Sequence, residues 1–237
     1  MISLPPPPIV EKTASTGLEP RSPASLAGAL YQACKRGFDF ALSGLLLILL
    51  APLGLVLAAW IKLDSDGPVF YVQSVVGRQG TEFVMYKFRS MLPHSRREDH
   101  AADLHRNFLS GGPTTVDDKG PIYKTALTDP SRITRSGRFL RRISLDELPQ
   151  LWNVFRGDMS FIGPRPALPE EARLYSEWQK GRLCVRPGIT GLYQVTARNR
   201  VPIEDMIRID IDYIARQSIW LDFVILLKTP AAMLSGI

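Results

Sequence analysis

From Phe40 to Ile61 the chain runs 22 residues, FALSGLLLILLAPLGLVLAAWI, without one charged side chain. As a straight helix this segment covers roughly 33 Å, enough to cross a hydrocarbon core about 30 Å thick. Helices in the core of a soluble protein seldom lack a polar face for so long. Membrane insertion is therefore the expectation. Pro52 falls mid-segment with Gly54 just behind it, so one backbone hydrogen bond is lost where the helix is deepest, and a sharp bend is predicted there. Lys35 and Arg36 precede the segment and Lys62 follows it, so a bias toward positive charge on one side gives no orientation. A re-entrant helix that enters and leaves on one side satisfies both flanks, a kinked span is the alternative, and the residues leave the two open.

Residues 1–30 read as a Pro-rich tail and not as a signal peptide, because the run Pro5-Pro6-Pro7-Pro8 and scattered Ser and Thr replace an apolar core. Residues 31–63 form the membrane helix, 64–201 a catalytic domain and 202–237 amphipathic C-terminal helices. Two strands around Gly77-Arg78-Gln79-Gly80, at Val69–Val72 and Phe83–Tyr86, predict a hairpin. Residues 93–120 read as a polar excursion holding or bordering His94, His100 and His105 as solvated side chains. Leu192–Val195 reads as a strand. Ile207, Ile211 and Ile214 mark a helix, and Ser218 is placed to cap a second, apolar one suited equally to the membrane interface and to the core.

Composition narrows the partners. With 45% hydrophobic and 22% charged residues the chain is no disordered protein, and Cys34 and Cys184 match neither a disulfide framework nor a metal-ligand pattern. The net charge of +6 calls for an anion: nucleic acid, a phospholipid surface or a phosphate-rich substrate. No helix-turn-helix, aromatic RNA-binding strand or dense basic stripe is present, so nucleic acid is not an expected partner. A membrane-anchored binding module without catalysis remains the alternative class.

The sharpest motif is RRISLDELPQLWNVF, residues 141–155. Ser144 and Glu147 match a capping box, yet Pro149 would then sit at the fifth helical position and break a hydrogen bond. A start near Leu148, with Pro149 in the first position, fits better and leaves Asp146 at the mouth of the helix. Free N–H groups and Arg138, Arg141 and Arg142 would favour its ionised form, making it a candidate metal ligand or oxygen nucleophile. Lys87, Arg89, Arg165 and Arg186 stand at turns and strand ends, Arg165 between two prolines, where they suit phosphate oxygens.

KRGFDF with the apolar run, GPVFYVQ, YKFRSM, SLDELPQLWNVFRGDMSFIGPRP, VRPGITGLYQV and IDYIARQSIWLDFVILLKT together resemble the bacterial sugar transferases, the monotopic phosphoglycosyl transferases, over residues 33 to 236. The resemblance implies an α/β fold, mostly helical with short strands, carrying a re-entrant, Pro-bent membrane helix and interfacial amphipathic helices. It implies a bacterial inner-membrane protein whose catalytic domain sits on the cytoplasmic face. The reaction implied moves a sugar 1-phosphate from a nucleotide diphosphate sugar, usually a UDP-sugar, to undecaprenyl phosphate. Asp146 would form a covalent phosphosugar intermediate, Glu147 would assist, and Mg²⁺ would lie against Asp146. Lys87, Arg89, Arg141 and Arg165 match the family's basic positions, Asp210 an acidic one, and Arg186 and Arg198 join them as candidate substrate contacts.

Three departures accompany the match. Ala51 stands before Pro52 where Ser is common, Thr196-Ala197-Arg198 replaces Ser/Asn-Gly-Arg, and no large domain precedes Lys35, as in a compact catalytic form.

Overall fold

The computed structural model describes residues 26–92, 115–117, 120–122 and 130–234. Most of the polar excursion and all three histidines lie outside them, as does most of the N-terminal tail.

Helix α1 spans Leu26–Asp64 as one helical run that continues through Pro52. Its first part is bound to the body by polar contacts: Lys35 Nζ lies 2.5 Å from Asp222, and Asp39 accepts the Phe161 N–H at 3.1 Å. Its last turns are bound by packing. Leu57 and Ile61 are buried against Phe88 and Leu140, and Asp64 accepts the backbone N–H and the hydroxyl of Ser136 at 2.8 Å each. Between these anchorages Ile48 is 79% and Leu55 73% exposed, alongside exposed Leu45, Leu49, Leu53 and Val56. So large an apolar face is foreign to a soluble monomer. α1 thus meets the body along its length, with Leu42, Leu46, Leu47 and Leu50 packed on the core, while the opposite face of its middle offers hydrocarbon outward.

The predicted hairpin is present and longer than expected. Strands β1 (Phe70–Val76) and β2 (Glu82–Phe88) pair antiparallel, with Val72 opposite Tyr86 and Ser74 opposite Val84. Gln79 takes φ 58° in the connecting turn. Short strands β3 (Thr115–Asp117) and β4 (Gly120–Ile122) pair with each other. Helix α2 (Arg135–Arg142) is capped by Thr134, whose hydroxyl accepts the Gly137 N–H at 2.9 Å. At Gly137 a Cβ would lie 1.9 Å from the Ser90 carbonyl oxygen, so only glycine lets α2 reach the segment after β2.

Helix α3 (Gln150–Arg156) ends at Gly157, whose φ of 93° and double N–H bond to Asn153 and Val154 carbonyls form a left-handed C-terminal cap. Strand β5 (Ser160–Ile162) pairs parallel with β6 (Gly188–Thr190). Helices α4 (Pro169–Arg173), α5 (Leu192–Thr196), α6 (Ile203–Arg216) and α7 (Ile219–Leu234) complete the described elements.

The strand expected at Leu192–Val195 is corrected: the strand is Gly188–Thr190, and Leu192 opens α5. β6 is short because Gly163 and Gly188 approach so closely that a Cβ on Gly188 would sit 2.1 Å from the Gly163 nitrogen. The Ser218 cap is present, its hydroxyl accepting the Leu221 N–H at 3.2 Å. Helix α7 answers the question of interface or core with both faces at once. Val224 and Ile225 are buried, and Ile219, Trp220, Phe223 and Leu227 are exposed. The core joins Val75, Met85, Val154, Met159, Tyr213 and Ile225.

Candidate active site

Ser144 adopts φ 56°, a left-handed conformation, and its side chain caps nothing. A 3₁₀ turn, Leu145–Glu147, follows, and α3 begins only after Pro149. The capping box therefore does not form, and the later helix start is the observed one. Proline decides this, since its missing N–H is harmless at a helix entrance and costly inside. Asp146 is held in the tight turn at that entrance, half-buried.

Glu147 is paired with Lys87 of β2, Oε1 to Nζ at 2.9 Å. Asp146 is left without such a partner: among the described residues its carboxylate accepts only its own backbone N–H. Burial and then the like charge of Glu147 raise its pKa above the ordinary carboxylate value, while Lys87 and Arg141 pull it down and lose. Arg141 favours the ionised form as expected. Desolvation outweighs the cations, and the result is an acid oxygen that is close to cations yet bonded to none.

Asn153 fixes this geometry. Fully buried, it donates to the Val84 carbonyl at 2.7 Å and accepts the Tyr86 N–H at 3.2 Å, locking α3 against β2 beside Lys87. The signal was a lone amide within the apolar run Leu151–Phe155.

The remaining expected site residues divide. Arg141 is exposed in the last turn of α2 and close enough to act electrostatically on Asp146. Arg89 is buried and donates to the carbonyls of Asp66, Ser65 (2.6 Å) and Ile61 (3.3 Å). Its guanidinium thus closes the C-terminal end of α1 and is turned from phosphate to backbone. Arg165 pairs with Glu171 at 3.2 Å, and Asp210 pairs with Arg182 at 2.6 Å. Arg182 also meets Glu171 at 3.0 Å and the Arg165 carbonyl at 2.9 Å. Asp210 is therefore a buried structural carboxylate, corrected from a substrate contact, and it supports Arg165 through Arg182. Sequence reading missed Arg182 and Glu171, which look like ordinary surface charges until their exposures of 1% and 0% are known. Arg198 donates to the Ala232 carbonyl at 3.3 Å on α7, and Arg186 donates through Nε to the Gly157 carbonyl at 2.8 Å. The structure thus brings Lys87, Arg141, Asp146 and Glu147 together. It ties Arg165 and Asp210 into one network and sets Arg186 at the far end of α3.

For Mg²⁺ the fit is partial by protein groups alone. Among the described residues no three His, Cys, Asp or Glu converge. One uncommitted carboxylate suits an ion that takes its other oxygens from substrate phosphates and water.

A family model described as bacterial sugar transferase matches residues 30–236. The chain is 39% identical over 201 residues to the undecaprenyl-phosphate galactose phosphotransferase of Salmonella typhimurium, covering 84% of this chain and 40% of that one. It is 38% identical over 202 residues to the exopolysaccharide production protein ExoY of Sinorhizobium fredii, covering 85% and 86%. To the undecaprenyl-phosphate glucose phosphotransferase of Komagataeibacter xylinus it is 40% identical over 206 residues, covering 82% and 35%. The chain thus spans well under half of two of these relatives and most of the third. With the family model covering nearly every residue from the first turns of α1 onward, the protein belongs to the bacterial sugar transferase family.

Proposed function

We propose that this protein transfers a sugar 1-phosphate from a UDP-sugar to undecaprenyl phosphate at the cytoplasmic face of a bacterial inner membrane, the first membrane step of an exopolysaccharide or related glycan. The observation that carries the reading is Asp146, an acid oxygen left uncommitted beside Lys87 and Arg141.

The Asp146 carboxylate attacks the sugar-bearing phosphorus. A new P–O bond forms, the bond to the bridging oxygen breaks, and UMP leaves with that electron pair. A phosphate oxygen of the lipid then attacks the same phosphorus, the aspartyl bond breaks, and the carboxylate is restored with the lipid diphosphate sugar as product. Splitting the displacement lets a soluble and a lipid substrate use one centre in turn. Approach of an anion to a diphosphate needs cations aimed at it, which Lys87 and Arg141 supply. Asp146 would hold Mg²⁺, which would supply neutralising charge for the diphosphate. Glu147 holds Lys87 in place, and Asn153 fixes the turn.

Seating follows from α1. The helix is bound to one body on both sides of its exposed apolar face, through Asp39 and through Asp64, which supports re-entrant seating over a span. Exposed Trp60 against Phe139, Trp152 against Phe155 and Trp220 against Phe223 supply aromatic groups suited to the interface. The test is UMP release from a panel of UDP-sugars with a polyprenyl phosphate and Mg²⁺. Wild type releases UMP and Asp146→Asn does not; full turnover by the variant would refute the assignment.

A further inference from the structure

A second concentration of positive charge lies away from Asp146. Asp146 precedes the N-terminal end of α3 and Gly157 follows its C-terminal end, a separation on the order of 10 Å along the helix. At the Gly157 end a shallow groove, open to solvent, is lined by Gln32, Lys35, Arg36, Asp39, Ser160 and Arg186 among others.

The charges there do not cancel. Lys35 is paired with Asp222, and Asp39 is occupied by the Phe161 N–H. Arg36 donates to the Val154 and Phe155 carbonyls at 2.7 and 2.8 Å, which caps α3 and leaves its charge unmatched. Arg186 uses only Nε, on Gly157, so its two terminal nitrogens have no partner among the described residues. Burial and then the like charges of Arg78 and Arg36 depress the Arg186 guanidinium, so Arg78 of the hairpin turn acts on it electrostatically. Three arginines thus face one committed carboxylate.

The location says what would come. The α1 residues lining the groove, Gln32 to Asp39, run directly into the apolar segment that begins at Phe40, and Phe38 and Phe40 beside them are exposed. A phosphate reaching this groove therefore arrives at the boundary between polar and apolar surface. We propose that the groove lined by Arg36 and Arg186, with Arg78 of the hairpin turn within electrostatic reach, binds the phosphate of an anionic phospholipid headgroup, separately from the reacting centre. Arginine forks suit phosphate oxygens, and basic residues at such a surface strengthen attachment to anionic lipid. The inference rests on the membrane seating proposed above.

Flotation tests it with the full chain on vesicles of phosphatidylcholine alone or with added phosphatidylglycerol, without polyprenyl phosphate. Wild type floats with both and binds the anionic vesicles more tightly. Arg78→Glu, a change in an exposed turn, removes roughly fivefold or more of that gain, as does Arg186→Ala, and neither alters flotation on phosphatidylcholine. Arg173→Glu, an exposed arginine on α4, leaves the gain in place. An equal loss with Arg173→Glu, or no gain in wild type, overturns the site. A thermal shift by inorganic phosphate that vanishes in Arg186→Ala, without any gain from phosphatidylglycerol, assigns the groove to soluble phosphate and overturns the lipid. Failure to float on phosphatidylcholine contradicts the seating itself.

Discussion

Two groups of charges in this chain use the same parts and end in opposite conditions. Around Arg182, the carboxylates of Glu171 and Asp210 and the hydroxyl of Tyr175 occupy both terminal guanidinium nitrogens, leaving only Nε without a partner, and all are nearly sealed from water. Around Asp146, one carboxylate of the dyad is paired and the other is left over, half-buried at a helix entrance. A closed network specifies structure, since every oxygen has its partner and breaking one strands a charge. An open one holds an oxygen that only a substrate can satisfy. Proximity of acids to arginines is common to both, and incompleteness separates them.

That contrast is broken most forcefully by Asp146→Asn. Transfer should fall by at least about a thousandfold, while unfolding free energy stays within about 0.5 kcal/mol of wild type, read by UMP release and denaturant titration. A loss of stability with retained activity would exchange the roles of the two groups. Arg182→Met should do the reverse in kind, costing about 3–5 kcal/mol of stability because Asp210 is left buried and unpaired while Glu171 keeps only Arg165 and Tyr175. Equal stability of this variant in urea would show the network to be ornamental.

The pH response sharpens the difference. Burial lifts the Asp210 carboxyl from 3.8 to about 6 against the pull of Arg182. Its folded form therefore binds a proton more tightly than the unfolded chain does. The stability it contributes is full below 3.8 and is lost as pH rises through about 6, on the order of 3 kcal/mol. Glu171 is shifted the other way by Arg165 and Arg182, so its share is lost only as pH falls through its lowered value. Asp210→Asn should flatten the slope between 3.8 and 6 in stability measured against pH; an unchanged slope would contradict the assignment.

At Asp146 the ionised form does the work, so activity falls as pH drops through its raised pKa. Glu147→Gln removes the like charge and moves that acid limb of kcat/KM to lower pH. Lys87→Met moves it to higher pH and changes stability by no more than about 1 kcal/mol, as for other partly exposed pairs. Limbs that stay put in both variants would detach the dyad from the chemistry.

What the sequence made legible follows the same division. Periodicity, turn residues and proline rules place the apolar helix, the hairpin, the start of α3 and the Ser218 cap, because each depends on a few adjacent residues. Asp146 stood out for the same reason: Pro149 dictates where the helix begins. Arg89, Arg182, Glu171 and Asp210 were not legible in their true settings. Arg89 and Asp210 have partners up to 28 residues away, and charge type alone does not say whether a side chain meets a carbonyl, an acid or water. The strand expected at 192–195 failed similarly, since a glycine approach between Gly163 and Gly188 moved the pairing upstream.

The account turns on covalent capture of the donor. Wild type incubated with a UDP-sugar and Mg²⁺, without lipid acceptor, should carry the mass of one sugar phosphate on the peptide containing Asp146, and Asp146→Asn should carry none. An enzyme that turns over yet never shows that adduct would contradict it.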